Sequence, residues 1–199
     1  AGPSEILVVA DSMQNPAFVA ADMLSQAEHD KMASAVLVTE SKDFAKKVSD
    51  ELERQIPLLP RKEIARASID NNGKIIVAED NLMLAIEIAN EIAPEHLELA
   101  VVQPFDYLSR VKNAGSIFMG SNCPEALGDY FAGPNHTLPT SGTAKFSSPL
   151  SVDDFVKKSQ FTYFTEDALK QVADKVAAFA EKEGLDGHAR SVKIRFEQE

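Results

Sequence analysis

The sequence predicts an α/β protein with a mostly parallel sheet, followed by helices at the C-terminal end. Short apolar runs recur between Ile6 and Met119, and a segment of helical length and periodicity separates each run from the next. Such alternation implies right-handed βαβ units, in which neighbouring strands run parallel. Beyond residue 151 the apolar positions follow helical spacing, so a helical appendage is expected there.

The first βα unit carries the clearest signals. Ile6–Ala10 is a continuous apolar run (ILVVA), which is typical of a strand covered on both faces. Asn15 and Pro16 then supply a helix cap and a first helical turn, so the segment AFVAADMLSQAEHD is predicted to be helical. Ala35–Val38 is predicted as the second strand.

The following elements keep the same order. An amphipathic helix starts at Ser41 and ends at Pro57, and a shorter helix around Arg61–Ser68 stops at the turn Asn71-Asn72-Gly73. The pattern then predicts three strands with two helices between them: Lys74–Val77, Leu82–Ile92, Leu97–Val102, Phe105–Lys112 and Ser116–Met119. The C-terminal helices are predicted over Val152–Gln160 and Thr165–Glu183, with a last segment from Asp186.

A long stretch between Ser121 and Ser151 interrupts the alternation. It is rich in Gly, Pro, Ser, Thr and Asn, yet it also holds aromatic residues, acids and a histidine. Loops of this length inside compact domains are usually functional or disordered, and this mixture of side chains favours a folded active-site loop. We therefore divide the chain into a Rossmann-like α/β segment (1–93), a second α/β segment with this loop (94–150) and a helical dimerisation tail (151–199).

Composition restricts the classes of partner. The formal charge of −11 argues against nucleic acid and against an anionic membrane surface, because both require concentrated Lys and Arg. No apolar run approaches the roughly 20 residues that span a bilayer. The single cysteine, Cys123, excludes an internal disulfide and predicts a reducing, cytoplasmic setting.

Two pairs of polar residues sit where chemistry is plausible, and each has a plainer explanation. Gln26 and His29 are three residues apart on the first helix, so both leave one face and can hold a metal. A Gln carbonyl is a weak zinc ligand, however, and a polar helix end explains the pair by itself. Glu95 and His96 lie at a junction between a helix and a strand, as either a solvated charged pair or a general acid/base pair.

The long loop and the tail hold the remaining candidates. Glu125, Asp129 and His136 share the loop, as either site residues or a capping acid with a loop histidine. Glu183 and His188 flank the glycine at which the last long helix ends. No G-x-G-x-x-G fingerprint and no P-loop sequence is present. These residues alone predict an α/β enzyme with acid/base groups among Glu95, His96 and His136. Its single divalent metal would be bound by some of Gln26, His29, Asp129 and His188.

Seven segments, in order along almost the whole chain, resemble the histidinol dehydrogenase family. They are AGPSEILVVAD, AADMLSQAEHD, ARAS, IAPEHLEL, NAGSIFMG, PEALGDYFAGPNHTLPTSGTAKFSSPLSV and EGLDGHARSVKIR. The resemblance implies a doubly wound, aldehyde-dehydrogenase-like fold. It also implies a zinc- and NAD-dependent enzyme of histidine biosynthesis, which oxidises L-histidinol via L-histidinal to L-histidine.

Residue roles follow from the same resemblance. Zn²⁺ would be bound by Gln26, His29, Asp129 and His188, the last reaching the site of the partner subunit in a homodimer. The histidinol site would be lined by Ser4, His96, Glu125, Asp129, His136, Glu183 and His188. Glu95 and His96 would be the catalytic pair, in which His96 takes the alcohol proton and Glu95 activates water.

The resemblance implies that the N-terminal half of the family's sequence, with most of the NAD contacts, is absent from these 199 residues. No NAD-binding residue is therefore assigned, and we expect the chain to be inactive alone. Two other functions fit the residues. One is a zinc- and NAD-dependent dehydrogenase of another small polar alcohol, such as a sulfonated diol. The other is a zinc-binding dimerisation module without catalysis.

Overall fold

A computed structural model of the chain describes residues 2–197, so Ala1, the first residue of the first matching segment, lies outside the described residues. The chain divides into two compact units, one up to residue 155 and one from residue 156. Each unit has its own packing. The three-segment division made from the sequence stays a prediction.

The first unit is built on a parallel sheet. Its strands are β1 (Glu5–Ala10), β2 (Ser34–Thr39), β3 (Lys74–Val77), β4 (His96–Ala100) and β5 (Ser116–Met119). Within the described residues they form one five-stranded sheet in the order β3-β2-β1-β4-β5, and every neighbouring pair is parallel. The chain moves outward from β1 in one direction and then restarts on its other side with β4. The predicted parallel α/β fold is confirmed.

Helices cover both faces of this sheet. They are α1 (Pro16–Ala27), α2 (Lys42–Gln55), α3 (Lys62–Asn72), α4 (Leu82–Ile92), α5 (Pro104–Leu108) and the short α6 (Glu125–Leu127). On one face, Ile6, Val8 and Leu37 pack against α1 and α2. On the other face, Leu7 and Leu97 pack against α4. Alternate residues of a strand thus enter different cores, which explains why the strands read as continuous apolar runs.

Several element boundaries differ from the sequence-based expectation, and α3 continues to Asn72 through the predicted turn Asn71-Asn72-Gly73. Strand β4 starts at His96 and ends at Ala100, and α5 ends at Leu108, four residues early. The helix expected over Val152–Gln160 is wrong, because only a 3₁₀ turn at Val152–Phe155 forms there. The Asp154 carboxylate binds the Ser151 backbone N–H at 2.7 Å, and residues 151–165 are all exposed. A short helix without a buried apolar face has little to stabilise it.

The second unit contains the helices α7 (Glu166–Lys182) and α8 (Asp186–Lys193), followed by a 3₁₀ turn at Ile194–Phe196. Gly184 separates the two helices with φ +75°, and the Leu185 N–H donates to the Ala180 carbonyl at 2.8 Å. A residue in the left-handed conformation ends a helix. Glycine adopts this conformation without the steric strain that a Cβ atom would cause. None of the helices that the structure describes is long and apolar enough to cross a membrane.

Candidate active site

A polar cavity of about 240 Å³ gathers most of the predicted site residues of the first unit. Seven of them line it: Ser4, Gln26, His29, Glu95, His96, Asp129 and His136. Gly2, Thr137 and Leu138 also line it and were not predicted. Residues far apart in the sequence therefore share one pocket, and we call it the amino-edge pocket.

The name describes where the pocket lies on the sheet. Ser4 immediately precedes β1, Glu95 immediately precedes β4, and the neighbouring strands place Ile6 beside His96. Both strands thus present their amino ends to the pocket. Helix α1 runs back from the carboxyl edge, so Gln26 and His29 at its end reach the same place. Ligands of open α/β sheets usually bind at the opposite, carboxyl edge.

Strand β1 holds the Glu95–His96 pair through the backbone of Glu5. The Glu95 carboxylate accepts the Glu5 N–H at 3.0 Å, and His96 Nδ1 lies 2.9 Å from the Glu5 carbonyl oxygen. The side chains are only 11% and 4% exposed, so the solvated alternative for this pair is wrong. Burial raises the pKa of Glu95, and this effect exceeds the lowering by the nearby His96 and by the Glu5 N–H. A carboxylate of raised pKa is a better general base.

Two buried side-chain atoms of the described residues have no hydrogen-bond partner, and both belong to this pocket. They are Gln26 Oε1 and His96 Nε2. Gln26 is 1% exposed and His96 is 3% exposed, so neither residue is open to bulk solvent. Buried polar atoms are almost always paired in native proteins, and exceptions often mark a ligand position.

The long loop after β5 folds back over this pocket as a short helical segment. Helix α6 continues as a wide π-type turn at Gly128–Ala132, so Glu125 and Asp129 lie one turn apart. A side chain at position 128 would come within 2.5 Å of the Phe118 ring, and only glycine allows this close approach to β5. Phe118 in turn packs against the His96 ring. The expectation of a folded loop is confirmed for this part.

The loop brings further acidic groups beside the Glu95–His96 pair. Glu125 Oε1 lies 3.7 Å from His96 Nε2, and the Gln26 side chain also hydrogen-bonds Glu125. Burial, and next a hydrogen bond with the Asp129 carboxyl, raise the pKa of Glu125 to about 7. Two carboxyl groups in contact share a proton because like charges repel in a poorly solvated site. A bound cation can take the place of that proton.

The same atoms meet the spacing of a metal site. His96, Glu125 and Asp129 each offer a ligand atom, and these atoms lie within 4.8 Å of one another. His136 Nδ1 lies 3.1 Å from Asp129 Oδ2, and this hydrogen bond raises the pKa of His136. Asp129 therefore contacts both the buried Glu125 and the exposed His136. Carboxylates that bind a metal often have such a second hydrogen-bond partner.

The two predicted site residues of the tail belong to the second unit. Glu183 caps the C-terminal end of α7, and His188 lies in the first turn of α8, with its N–H bonded to the Leu185 carbonyl. Both residues are exposed. Their roles stay predictions.

Comparison with known proteins names the family. A family model described as histidinol dehydrogenase matches residues 1–196. The chain belongs to the histidinol dehydrogenase family.

Curated relatives agree with this assignment. A histidinol dehydrogenase of Clostridium acetobutylicum is 60% identical over 196 residues, and one of Listeria monocytogenes is 57% identical over 199 residues. The crystal structure of a histidinol dehydrogenase from Elizabethkingia anophelis superposes with a TM-score of 0.89 at 39% identity, over 98% of this chain. The chain spans less than half the length of these relatives: 45%, 46% and 45%.

Several residues of this family site escaped the sequence-based reasoning. Glu5 acts through its backbone, which leaves no signal in its residue type. The buried Glu98 and the half-buried Asp22 form a carboxyl pair next to Glu125. A signal for Glu98 did exist, since it is the acid at an inward position of the otherwise apolar run LELA in β4.

Proposed function

We propose that this chain supplies the zinc site, the substrate site and the acid/base pair of an NAD-dependent histidinol dehydrogenase. The enzyme oxidises L-histidinol via L-histidinal to L-histidine, in a homodimer in the cytoplasm. The observation that carries the proposal is the amino-edge pocket, where the buried, unpaired Gln26 Oε1 and His96 Nε2 meet a group of carboxylates.

The donor set of the pocket fits a zinc ion. Gln26, His29 and Asp129 would bind it together with the partner's His188. Gln26 Oε1 is buried without a hydrogen-bond partner, and the Asp129 carboxyl group is hydrogen-bonded to that of Glu125. A bound cation would therefore stabilise both side chains. When bound, zinc supplies a fixed charge that orients the imidazole and amino nitrogens of histidinol. His188 is exposed on its helix, which supports its role as a zinc ligand in the site of another subunit.

Proton transfer falls to His96 and Glu95. Because Nδ1 faces the Glu5 carbonyl, it carries the proton of a neutral ring and leaves Nε2 as the acceptor. In the first oxidation, Nε2 of His96 takes the proton of the substrate hydroxyl. In the second, Glu95 takes a proton from the water that adds to the aldehyde carbon. NAD, when bound, supplies the hydride acceptor for both oxidations, and its contacts are assigned to no residue of this chain.

Substrate selection follows from the charge of the pocket. Glu125 and Asp129 are acidic groups in a poorly solvated site, which favours a ligand that carries an amino group. Ser4 and His136 add polar contacts at the rim, and Glu183 is expected to join them from the partner subunit. This arrangement suits histidinol, which has both an amine and an imidazole.

The test uses a chimera in which this chain replaces the matching segment of the Clostridium acetobutylicum relative, which is 60% identical over that segment. We expect zinc-dependent formation of two NADH per L-histidinol, with L-histidine as product. A panel of other small polar alcohols, including a sulfonated diol, is the specificity control. Turnover of another alcohol in preference to histidinol would contradict the substrate assignment.

A zinc-binding dimerisation module is the alternative outside enzymology. It gives no function to the buried Glu95–His96 pair, whose burial is costly without a use. A chimera that binds zinc and dimerises but never reduces NAD would favour this alternative.

A further inference from the structure

Below the amino-edge pocket lies a carboxyl pair, one buried acid and one half-buried acid, that the proposed reaction does not use. Glu98 points from β4 toward α1, and its side chain hydrogen-bonds that of Asp22. Glu98 is 3% exposed, and every residue of its strand is buried. A buried carboxyl group costs stability unless it has partners, so the position of Glu98 needs a reason.

One reason is visible in the contact with the active-site loop. Glu98 Oε1 accepts the backbone N–H of Glu125 at 2.8 Å. That N–H is at the start of α6, where a helix leaves its first amides unpaired. Glu98 thus fixes the residue whose side chain lies 3.7 Å from His96 Nε2.

Asp22 contacts the carboxyl group of Glu98 from α1. Burial raises the pKa of both acids, and the charge of Asp22 raises that of Glu98 as well, so the pair favours a shared proton. Glu98 thus hydrogen-bonds Asp22 while its Oε1 accepts the Glu125 N–H. Asp22 is on α1 one turn before Gln26, so the pair connects the helix of the zinc ligands with the loop.

We propose that Glu98 is a positioning residue, which holds Glu125 in the substrate site while Asp22 holds Glu98. The inference rests on the proposed function, because Glu125 acts there as a substrate-binding group. Glu98 touches no substrate atom. Its effect on the reaction passes through the backbone of Glu125.

The test compares two substitutions at Glu98 in the chimera. Glu98→Gln keeps an acceptor for the Glu125 N–H and a donor for Asp22, so KM for histidinol stays near that of the unsubstituted chimera. Glu98→Met has a similar size but removes both contacts, and we expect KM to rise about tenfold or more. Zinc content stays constant in both. An unchanged KM in Glu98→Met overturns the proposal.

A double-mutant cycle separates positioning from a general loss of stability. In a Glu125→Ala background, Glu98→Met should add little to the loss of kcat/KM, because its route to the substrate is already gone. Equal losses in both backgrounds overturn the proposal. Asp11→Leu is the matched control. Asp11 is also a buried acid that accepts a backbone N–H, that of Val102 at 2.6 Å, but at the carboxyl edge. It should lower the melting temperature without changing KM.

Hydrogen exchange of the Glu125 amide tests the proposal without an activity assay and without the Glu98→Met variant. The Glu125 amide should exchange slowly in the unsubstituted chimera and in Glu98→Gln. Fast exchange in the unsubstituted protein overturns the proposal even if the enzyme is active. A chimera that never oxidises histidinol would contradict the proposed function. The exchange rate of the Glu125 amide could still be measured in that chimera.

Discussion

Nδ1 of His96 lies 2.9 Å from the carbonyl oxygen of Glu5, so strand β1 fixes the ring that β4 carries. The neighbouring Glu95 carboxylate accepts the N–H of the same Glu5. One residue of a central strand therefore positions both members of the proposed catalytic pair. Nε2 of His96 is left without a partner and is only 3.7 Å from Glu125.

The first prediction concerns His96 itself. His96→Asn in the chimera removes the proposed proton acceptor and should lower kcat for histidinol by about 10²–10⁴-fold, the usual range for a general base. Zinc content should not change, because His96 is not among the proposed ligands. Steady-state NADH formation and atomic absorption provide the two measurements. A loss of zinc in His96→Asn would instead favour the His96–Glu125–Asp129 group as the metal site.

Glu95 should affect the two oxidations unequally. Glu95→Gln keeps an acceptor for the Glu5 N–H but cannot take a proton from water. We expect oxidation of L-histidinal to slow by about 10²-fold or more, while hydride removal from histidinol slows far less. Single-turnover NADH traces with each substrate distinguish these steps. Equal slowing of both would show that Glu95 does not act on water.

Zinc affinity tests the ligand assignment directly. His29→Ala should weaken zinc binding by more than about 100-fold, since even residues behind the ligands often account for 10–100-fold. Lys31→Ala is the control, a nearby exposed residue with no proposed contact to the metal. Competition with a chromogenic chelator measures both variants. Equal affinities for zinc would remove His29 from the site.

The proposed contribution of the partner's His188 predicts complementation between inactive subunits. His29→Ala and His188→Ala should each abolish activity in separate homodimers. A mixed dimer of the two holds one complete site, so random mixing should restore about a quarter of the unsubstituted activity. Subunit exchange under mild denaturation, followed by an NADH assay, measures this. No recovery, despite demonstrated exchange, would place His188 in its own subunit's site.

The stability of the metal-free chain should depend on pH through Asp22. Burial raises the pKa of Asp22 from 3.8 to about 6, so between these values the folded chain binds more protons than the unfolded chain. Stability is therefore greatest below about pH 4 from this group and decreases as the pH rises through about 6. Asp22→Asn should remove this contribution, which is at most about 3 kcal/mol.

Urea unfolding at several pH values measures the slope. Asp43→Asn, at an exposed carboxylate of α2, is the control and should leave the slope unchanged. A slope in Asp22→Asn equal to that of the unsubstituted chain would contradict the linkage.

The sequence predicted the fold and most of the pocket well, for identifiable reasons. The apolar runs and caps of the first unit are strong local signals, and Asn15 does accept the Ala17 N–H as a helix cap. For Glu95 and His96 the sequence left a solvated pair and an acid/base pair as alternatives, because a helix-to-strand junction is normally exposed. Their burial depends on Glu5 and on the returning loop, which are distant in the sequence. Pattern reasoning has no access to such contacts.

The errors in the tail region have a different origin. Val152–Gln160 has acceptable helix formers, yet all its residues are exposed, and a local Ser151–Asp154 contact competes with the helix. The Glu98–Asp22 pair was missed because the two residues lie on different elements, and no local pattern connects them. The strand register, with Glu98 beside Val8 on the α1 face, shows toward which helix this acid points.

Because the pocket lies at the amino edge of the sheet, the surface at the carboxyl edge can be changed separately from the pocket. The connections that follow β2 and β3, such as the exposed residues Glu79 and Asp80, lie at the far ends of their strands from His96. Labels, surface charges or crystal-contact mutations placed there are a full strand length away from the proposed catalytic pair, roughly 13 Å for four residues. Such changes can alter how the protein behaves in solution while leaving the Glu95–His96 pair in place.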